Sequence, residues 1–403
     1  MRKKKDIVFL CQFFHPEYIS SAQLPYETLQ ALCAAGYEVG CLCGYPHEYT
    51  KDTNIPVQED LNGISVRRLR YIQLDRSGFL GRLVNYFSFT LMVFLNLWRV
   101  AEYKTVVVYS NPPILPWIAS WAKLLFRTKF VFVAYDLYPE VATVTNTLRQ
   151  GSVICRLMEH INRCVFRRAD QVIALSSEMK EYIAKHRQIS PEKITVIPNW
   201  YSDKPQQSRP RPENHFYETV GDRFVVSYFG NMGTMQDMET ILGAIRTLRQ
   251  DPNIFFLFAG HGNKMEKLKQ VIQQEQLGNA RVYDFLQGQD FQDALQISDC
   301  ALISLEKGAT GLCVPSKTYS YMMQGLPLLA IMDPCDIVSD IEDGAGCWVR
   351  NGESEKMADL IRKLSADSER SGRMREVCRK IYLEKYTTPI CTGQYVDMFR
   401  KLI

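Results

Sequence analysis

The chain has 403 residues, of which 46% are hydrophobic and 23% charged, and a formal net charge of +4. Single cores seldom grow past about 250–300 residues, so two domains are expected, with the composition of an ordinary globular protein. So small a positive charge gives no basic footprint, and no nucleic-acid partner is expected.

Twelve cysteines are scattered without a C-x-x-C pair or a His/Cys cluster. That is the usage of a reducing compartment, and it predicts no metal site. Cys41 and Cys43 flank one residue on an expected strand, so they point the same way and are not thereby paired. The N-terminus is basic (Arg2 to Lys5), but only Ile7 to Cys11 follows as an apolar run. This is too short for a signal peptide, and Asp6 to Cys11 is read as the first strand.

The chain then alternates. A long loop, Phe13 to Gln23, carries His15, Glu17, Ser20 and Ser21, and a helix is expected over Leu24 to Ala35, ended by Gly36. Strands follow at Glu38–Cys43 and Ile64–Arg70. This β–loop–α–β start is the doubly wound pattern. Ser20 and Ser21, just before the helix, could face a phosphate; His15 could equally be a loop histidine without a role.

Residues 79–100 read FLGRLVNYFSFTLMVFLNLWRV, with 16 uncharged residues between Arg82 and Arg99. Arg76 and Lys104 flank the segment. It is near the lower limit for spanning a bilayer. An aromatic helix lying on an anionic leaflet would have this composition, and so would a helix buried in the domain.

Further on come a strand at Thr105–Tyr109, a helix at Trp117–Phe126 and a strand at Lys129–Ala134, which runs into Tyr135-Asp136-Leu137-Tyr138-Pro139-Glu140. Asp136 and Glu140 lie just past a strand's carboxyl end, where α/β folds bind ligands. They suit acceptor binding or proton removal, or else a helix cap and a solvated carboxylate. A helix at Ser152–Arg168, a strand at Gln171–Leu175, a helix capped by Ser176-Ser177 and a strand at Ile194–Ile197 complete this half. The aperiodic, proline-bearing stretch 201–221 is read as a linker.

The pattern restarts at Phe224. The expected strands are Phe224–Phe229, Ile254–Ala259, Arg281–Phe285, Ala301–Leu305 and Leu328–Ile331, with helices between them. Turns rich in glycine or in Ser and Lys stand at successive strand ends: Gly230-Asn231-Met232-Gly233, Gly260-His261-Gly262 and Val314-Pro315-Ser316-Lys317. Together they predict one phosphate-facing rim. A helix is expected to open at Pro315, with Ser316 and Lys317 in its first turn. Helices at 357–364, 368–386 and 395–402 close the chain, the last crossing back towards the first domain.

These motifs give the chain a family likeness. Asp136-Leu137-Tyr138-Pro139-Glu140, Ala169 to Ser176, Val196-Ile197-Pro198-Asn199-Trp200, Tyr228 to Gly233, Ala259 to Gly262, Val314 to Lys317 and Gly325-Leu326-Pro327 stand in the order found in family 4 retaining glycosyltransferases. The chain resembles the members that build surface polysaccharides. The resemblance implies an α/β GT-B fold, two Rossmann-like doubly wound domains facing across a cleft. Residues 1–200 would bind the acceptor, 222–386 would bind the nucleotide sugar, and 387–403 would pack back on the first domain.

The resemblance also implies the roles. A sugar would pass from a nucleotide-diphosphate sugar, UDP ahead of GDP, to a polyprenyl-diphosphate-linked glycan at the inner face of the cell membrane, without cofactor or metal. Gly230, Asn231, Met232, Gly233, Gly262, Lys264, Ser316 and Lys317 would hold the diphosphate, and Phe285, Leu286 and Gln287 the base. Lys317 would offset charge on the leaving phosphate. Asp136, Glu140 and His15 would orient the acceptor hydroxyl, helped by Glu17, Ser20, Ser21 and Tyr138; Glu306 could meet sugar hydroxyls.

There are departures. Asn231 and Gln236 replace a frequent Arg and Lys, and Leu312 and Ser320 replace two glutamates, the second a ribose ligand that Ser320 could imitate. A catalytically inactive binding subunit and a GT-B sugar-nucleotide 2-epimerase therefore stay open as alternatives.

Overall fold

The computed structural model describes residues 3–47, 49, 50, 52, 54–75, 78–203 and 209–403, with the backbone alone at Phe79. Arg76 and residues 204–208 of the expected linker lie outside these. The first domain runs β1 (Lys5–Cys11), α1 (Ser20–Ala34), β2 (Val39–Gly44), β3 (Gln58–Leu61), β4 (Ile64–Leu69), α2 (Phe79–Leu95), β5 (Tyr103–Tyr109), α3 (Leu115–Phe126), β6 (Lys129–Ala134), α4 (Glu140–Val144), α5 (Val153–Arg168), β7 (Gln171–Ala174), α6 (Ser177–Arg187) and β8 (Ile194–Val196). Its sheet has the order β3-β4-β2-β1-β5-β6-β7-β8. Every pair is parallel except the β3–β4 hairpin. Helices cover both faces of such a sheet, so its central strands are apolar throughout, as Ile7 to Cys11 are.

The second domain runs α7 (Tyr217–Val220), β9 (Phe224–Asn231), α8 (Met238–Thr247), β10 (Ile254–His261), α9 (Met265–Gln274), β11 (Ala280–Asp284), α10 (Gly288–Ile297), β12 (Cys300–Ser304), α11 (Lys317–Met323), β13 (Leu328–Ile331), α12 (Asp336–Asp340), β14 (Gly346–Val349), α13 (Ser354–Ala366), α14 (Ser368–Lys385) and α15 (Thr388–Leu402). Its parallel sheet has the order β11-β10-β9-β12-β13-β14. This is the expected pair of doubly wound domains.

Several boundaries differ. Helix α1 begins at Ser20, not Leu24, because Ala22 and Leu24 are buried and hold the extra turn against the sheet. Residues 209–221, expected to be linker, pack into the second domain. Phe216 and Val220 are in its core, and the Asn214 side chain donates to Asp293 O at 2.7 Å. Helix α11 starts at Lys317, two residues after Pro315, and is only seven residues long.

Two chain crossings join the domains. One follows Trp200 and the other precedes α15, which lies on α1 with Cys391, Tyr395 and Phe399 in the first domain's core. Both are tied to one oxygen: Glu27 Oε2 accepts from Trp200 Nε1 at 2.6 Å and from Thr388 Oγ1 at 3.1 Å. Across the cleft, Leu137 N–H donates to Leu312 O at 2.9 Å, and the Leu312 side chain is buried among first-domain residues. Helices α6 and α12 exchange carboxylates at their N-termini. Ser177 N–H donates to Asp336 Oδ2 at 2.8 Å, and Asp336 N–H donates to Glu178. Burial pushes the Glu178 carboxyl up, against the hydrogen bonds it accepts.

Helix α2 in segment 79–100 packs one face on the domain and leaves the other exposed. Phe89 and Val93 are buried on the domain, and the Asn85 amide brackets Leu74, accepting from its N–H at 2.7 Å and donating to its carbonyl at 2.8 Å. Leu80, Phe87, Leu91 and Leu95 form a stripe at helical spacing on the other side, each more than half exposed, with Trp98 just beyond. No helix among the described residues is long and apolar enough to cross a membrane.

Beneath the β1–α1 loop lies Arg68, 1% exposed. It donates to Pro56 O (2.8 Å) and His15 O (2.9 Å) and pairs with Glu59 at 2.6 Å. Removing it leaves two part-buried carbonyls and a partly exposed carboxylate without their donor. Arg68→Met is expected to lower the unfolding free energy by about 2–4 kcal/mol, read as a lower urea midpoint at unchanged slope.

Candidate functional site

The carboxyl ends of β9, β10, β11 and β12 form one rim facing the first domain. At its centre is Lys317. Its ammonium donates to Asn231 O at 3.2 Å and lies 4.6 Å from the centre of the Tyr228 ring. Gly230 has φ +114°, and a Cβ there would come within 3.4 Å of the lysine's Cε. A larger residue would crowd the lysine. Desolvation pulls Lys317 down from 10.5 to about 8, although its side chain keeps part of its surface open to the cleft.

Two of the rim amides expected to be free are occupied. Met232 is fully buried and its N–H donates to His261 O at 2.7 Å; Gly233 N–H donates to Gln236 Oε1 at 2.8 Å. Gly262 (φ +120°) allows two loops to touch, since a Cβ there would stand 2.5 Å from Met232 O. These glycines serve close packing of the rim. The helix dipole is also weaker than expected, because α11 is so short; the charge of Lys317 dominates.

Other expectations need correction. Lys264, the second candidate cation, is paired with Glu306 at 2.5 Å and donates to Gln236 O at 2.6 Å, so each of these charged groups is neutralised by the other. Ser320 is buried and its hydroxyl donates to Lys317 O at 2.9 Å, turned into the helix and away from any ribose. Ser316 is exposed beside Lys317. Phe285 is 40% exposed at the end of β11, Leu286 packs on the second domain's core, and Gln287 precedes α10.

On the acceptor side, Asp136 and Glu140 part company. Glu140 makes a two-pronged ion pair with Arg187, at 2.7 and 2.6 Å. That pairing occupies its carboxylate and removes it from the candidate set. Asp136 has no hydrogen-bonding partner for its carboxylate among the described residues, and burial pushes it up from 3.8 to about 6. It is not a helix cap. Ser110 Oγ positions it by accepting from Tyr135 N–H (3.1 Å) and Asp136 N–H (3.0 Å). Burial, and after it the charge of Asp136, pushes the Cys313 thiol of the second domain up. Asp136 directly precedes Leu137, whose N–H donates to Leu312 O across the cleft.

Glu17 is buried and accepts from Phe14 N–H at 3.2 Å, so it shapes its own loop rather than meeting an acceptor. His15 stacks on Tyr26 at 4.5 Å, and burial, then Arg68, pulls it down. Ser20 and Ser21 form the first turn of α1, whose N-terminus has no side-chain cap. Burial pushes the Tyr138 hydroxyl far up, and its carbonyl accepts from Arg187 at 3.2 Å. Sequence reasoning missed Tyr228, Ser110 and Arg187. Arg187 is 47 residues from Glu140 and gives no local signal.

Two family descriptions match this chain: a glycosyl transferase 4-like domain over residues 23–200 and glycosyl transferases group 1 over residues 211–381. Each half of the chain thus matches a glycosyltransferase description, on a GT-B fold. It is 29% identical over 251 residues to a Pseudomonas aeruginosa protein named as glycosyltransferase WbjE, covering 62% of each chain. It is 23% identical over 326 residues to WcaI of Escherichia coli K12, named as a colanic acid biosynthesis glycosyl transferase, covering 77% of this chain and 79% of that one. Among solved structures, Anabaena HepE in complex with UDP has a TM-score of 0.69 at 17% identity, covering 98% of this chain and 100% of that one. WaaG, a glycosyltransferase of lipopolysaccharide biosynthesis, has 0.69 at 15%, covering 98% and 99%. At such identities these structures establish the shared fold.

A pH limb follows from Lys317. Below about pH 8 the free protein carries the ammonium expected to meet the donor phosphate; above it the charge is lost. The kcat/KM for donor is therefore expected to fall about tenfold per pH unit above pH 8, and the limb should move up in kcat because bound phosphate restores the proton. Lys317→Arg, which stays charged, should remove the limb; pH–rate profiles of both proteins check this.

Proposed function

We propose that this glycosyltransferase moves a sugar, with retention, from a nucleotide-diphosphate sugar to a polyprenyl-diphosphate-linked glycan in surface-polysaccharide synthesis, with UDP as the first candidate carrier. The observation that carries this is a pair of groups with no ion-pair partner among the described residues, Lys317 at the rim of the second domain and Asp136 just past a strand end of the first, each moved by burial towards its neutral form. The UDP complexes of HepE and the colanic acid and lipopolysaccharide names of WcaI and WaaG agree with it.

In the proposed reaction the bond between the sugar's anomeric carbon and the phosphate oxygen breaks. The acceptor hydroxyl forms the new bond on the same face, and its proton passes to the leaving phosphate. Lys317 offsets the charge that grows there, an effect worth several kcal/mol in a dry site. Asp136 receives a hydrogen bond from the acceptor hydroxyl and orients it. Lys317 supplies the cation, so activity is proposed to be metal-independent and to survive EDTA. An inactive binding subunit is the second reading, favoured by the buried Leu312 and Ser320 where the family often has glutamates.

The deciding experiment screens UDP- and GDP-sugars by thermal shift and nucleotide release, with and without a polyprenyl-diphosphate sugar. A donor should raise Tm of the wild type and turn over only with lipid acceptor, and Lys317→Ala should lose at least about a hundredfold in kcat/KM. Stabilisation without turnover would favour the binding subunit; no stabilisation would remove the donor assignment.

The exposed stripe of α2, with Arg82 and Arg99 beside it, is proposed to rest on the inner membrane face and bring the cleft to its lipid acceptor, making the enzyme cytoplasmic and peripheral. Anionic vesicles should co-sediment the wild type, and Phe87→Glu with Leu91→Glu should abolish this while leaving donor binding intact. Equal sedimentation of the two proteins would refute the docking.

A further inference from the structure

A row of aromatic rings crosses from one domain to the other. In the first domain, Phe13 meets Tyr49 edge-on at 5.7 Å, and Tyr49 meets Tyr18 edge-on at 6.0 Å. Tyr18 N–H donates to Tyr49 O at 3.0 Å, so backbone and ring are both held. The carbonyl of His15, three residues earlier, is fixed from beneath by buried Arg68. In the second domain, Phe285 stands at the end of β11, backed edge-on by His261 of β10 at 5.3 Å. Tyr18 and Phe285 face each other at 6.3 Å between centroids, their planes 23° apart.

That spacing is informative. Carbon atoms of stacked rings touch at about 3.5 Å, so a flat ring held between two others needs its walls about 7 Å apart. The 6.3 Å between centroids is the upper limit of the gap between the ring planes, so the closed slot is narrower than this, and the walls belong to different domains, so an opening of the cleft would reach it. The slot lies at the carboxyl ends of β10 and β11, on the same rim as Lys317, where doubly wound sheets hold their ligands.

We propose that Tyr18 and Phe285 are the two walls of a stacking slot for the donor's nucleobase, so that the base bridges the domains. This rests on the donor-site assignment above. The second domain supplies one wall and the phosphate contact; the first supplies the other wall from its β1–α1 loop. Stacking is tolerant of base identity, since every base offers a flat face. The slot therefore gives affinity for a nucleoside and couples its binding to the approach of the acceptor domain.

The test uses calorimetry on the full chain with UDP, GDP and inorganic pyrophosphate as probes, for wild type, Tyr18→Ala, Tyr18→Phe and Phe285→Ala. Both alanine variants should weaken nucleoside diphosphate binding by at least about fivefold and leave pyrophosphate affinity unchanged. Tyr18→Phe, which keeps the ring, should bind as wild type does. Wild-type nucleotide affinity in Tyr18→Ala would overturn the proposal. So would an equal loss for pyrophosphate, which would mean that the rings only latch the cleft. A wild type that binds neither nucleotides nor pyrophosphate would instead refute the donor site, and the slot with it.

Discussion

One main-chain hydrogen bond, Leu137 N–H to Leu312 O, sets where the two sheets face each other. The loop that carries it leaves β12, crosses the cleft and buries Leu312 among side chains of the first domain. Three residues of the site lie close to this bond in sequence: Asp136 immediately before the donor, Cys313 immediately after the acceptor, and Lys317 five residues beyond the acceptor. Because both partners are backbone groups, the contact does not depend on the identity of either side chain. An apolar residue at 312 then anchors the loop by burial.

Charge in the cleft is arranged by pairing. Lys264 and Glu306 neutralise each other, as do Glu140 and Arg187. Lys317 and Asp136 have no ion-pair partner among the described residues, and burial moves both towards their neutral forms, one down to about 8 and the other up to about 6. Groups whose proton affinities lie close to neutrality are the ones that respond to a bound phosphate or hydroxyl. The paired residues hold the walls of the cleft in place.

Much of this was legible in the sequence, for identifiable reasons. Parallel strands buried on both faces are apolar runs, so β1, β6 and β13 stood out to within a residue. Glycine and serine punctuation located the rim. The edge strand β3, with alternating exposed residues, left no apolar run, and short β14 was hidden among turns. The site was harder to read because pairing is a tertiary fact. Glu140 and Asp136 looked alike in sequence, and only the position of Arg187, on a helix 47 residues away, separates them. The amides of the glycine rim looked free until His261 O and the Gln236 side chain were seen to accept from them.

The two crossings between domains are pinned to a single carboxylate oxygen, Glu27 Oε2. Two connections held at one point act as a hinge with one pin. Rotation about that point leaves both tethers intact, whereas sliding one sheet past the other would break them. Cutting the chain before α15 leaves the two domains covalently joined through the first crossing, whereas cutting it after Trp200 leaves them held together only by packing, that of α15 on α1 included. The mouth of the cleft can thus widen and narrow like a jaw while both tethers stay fixed at Glu27.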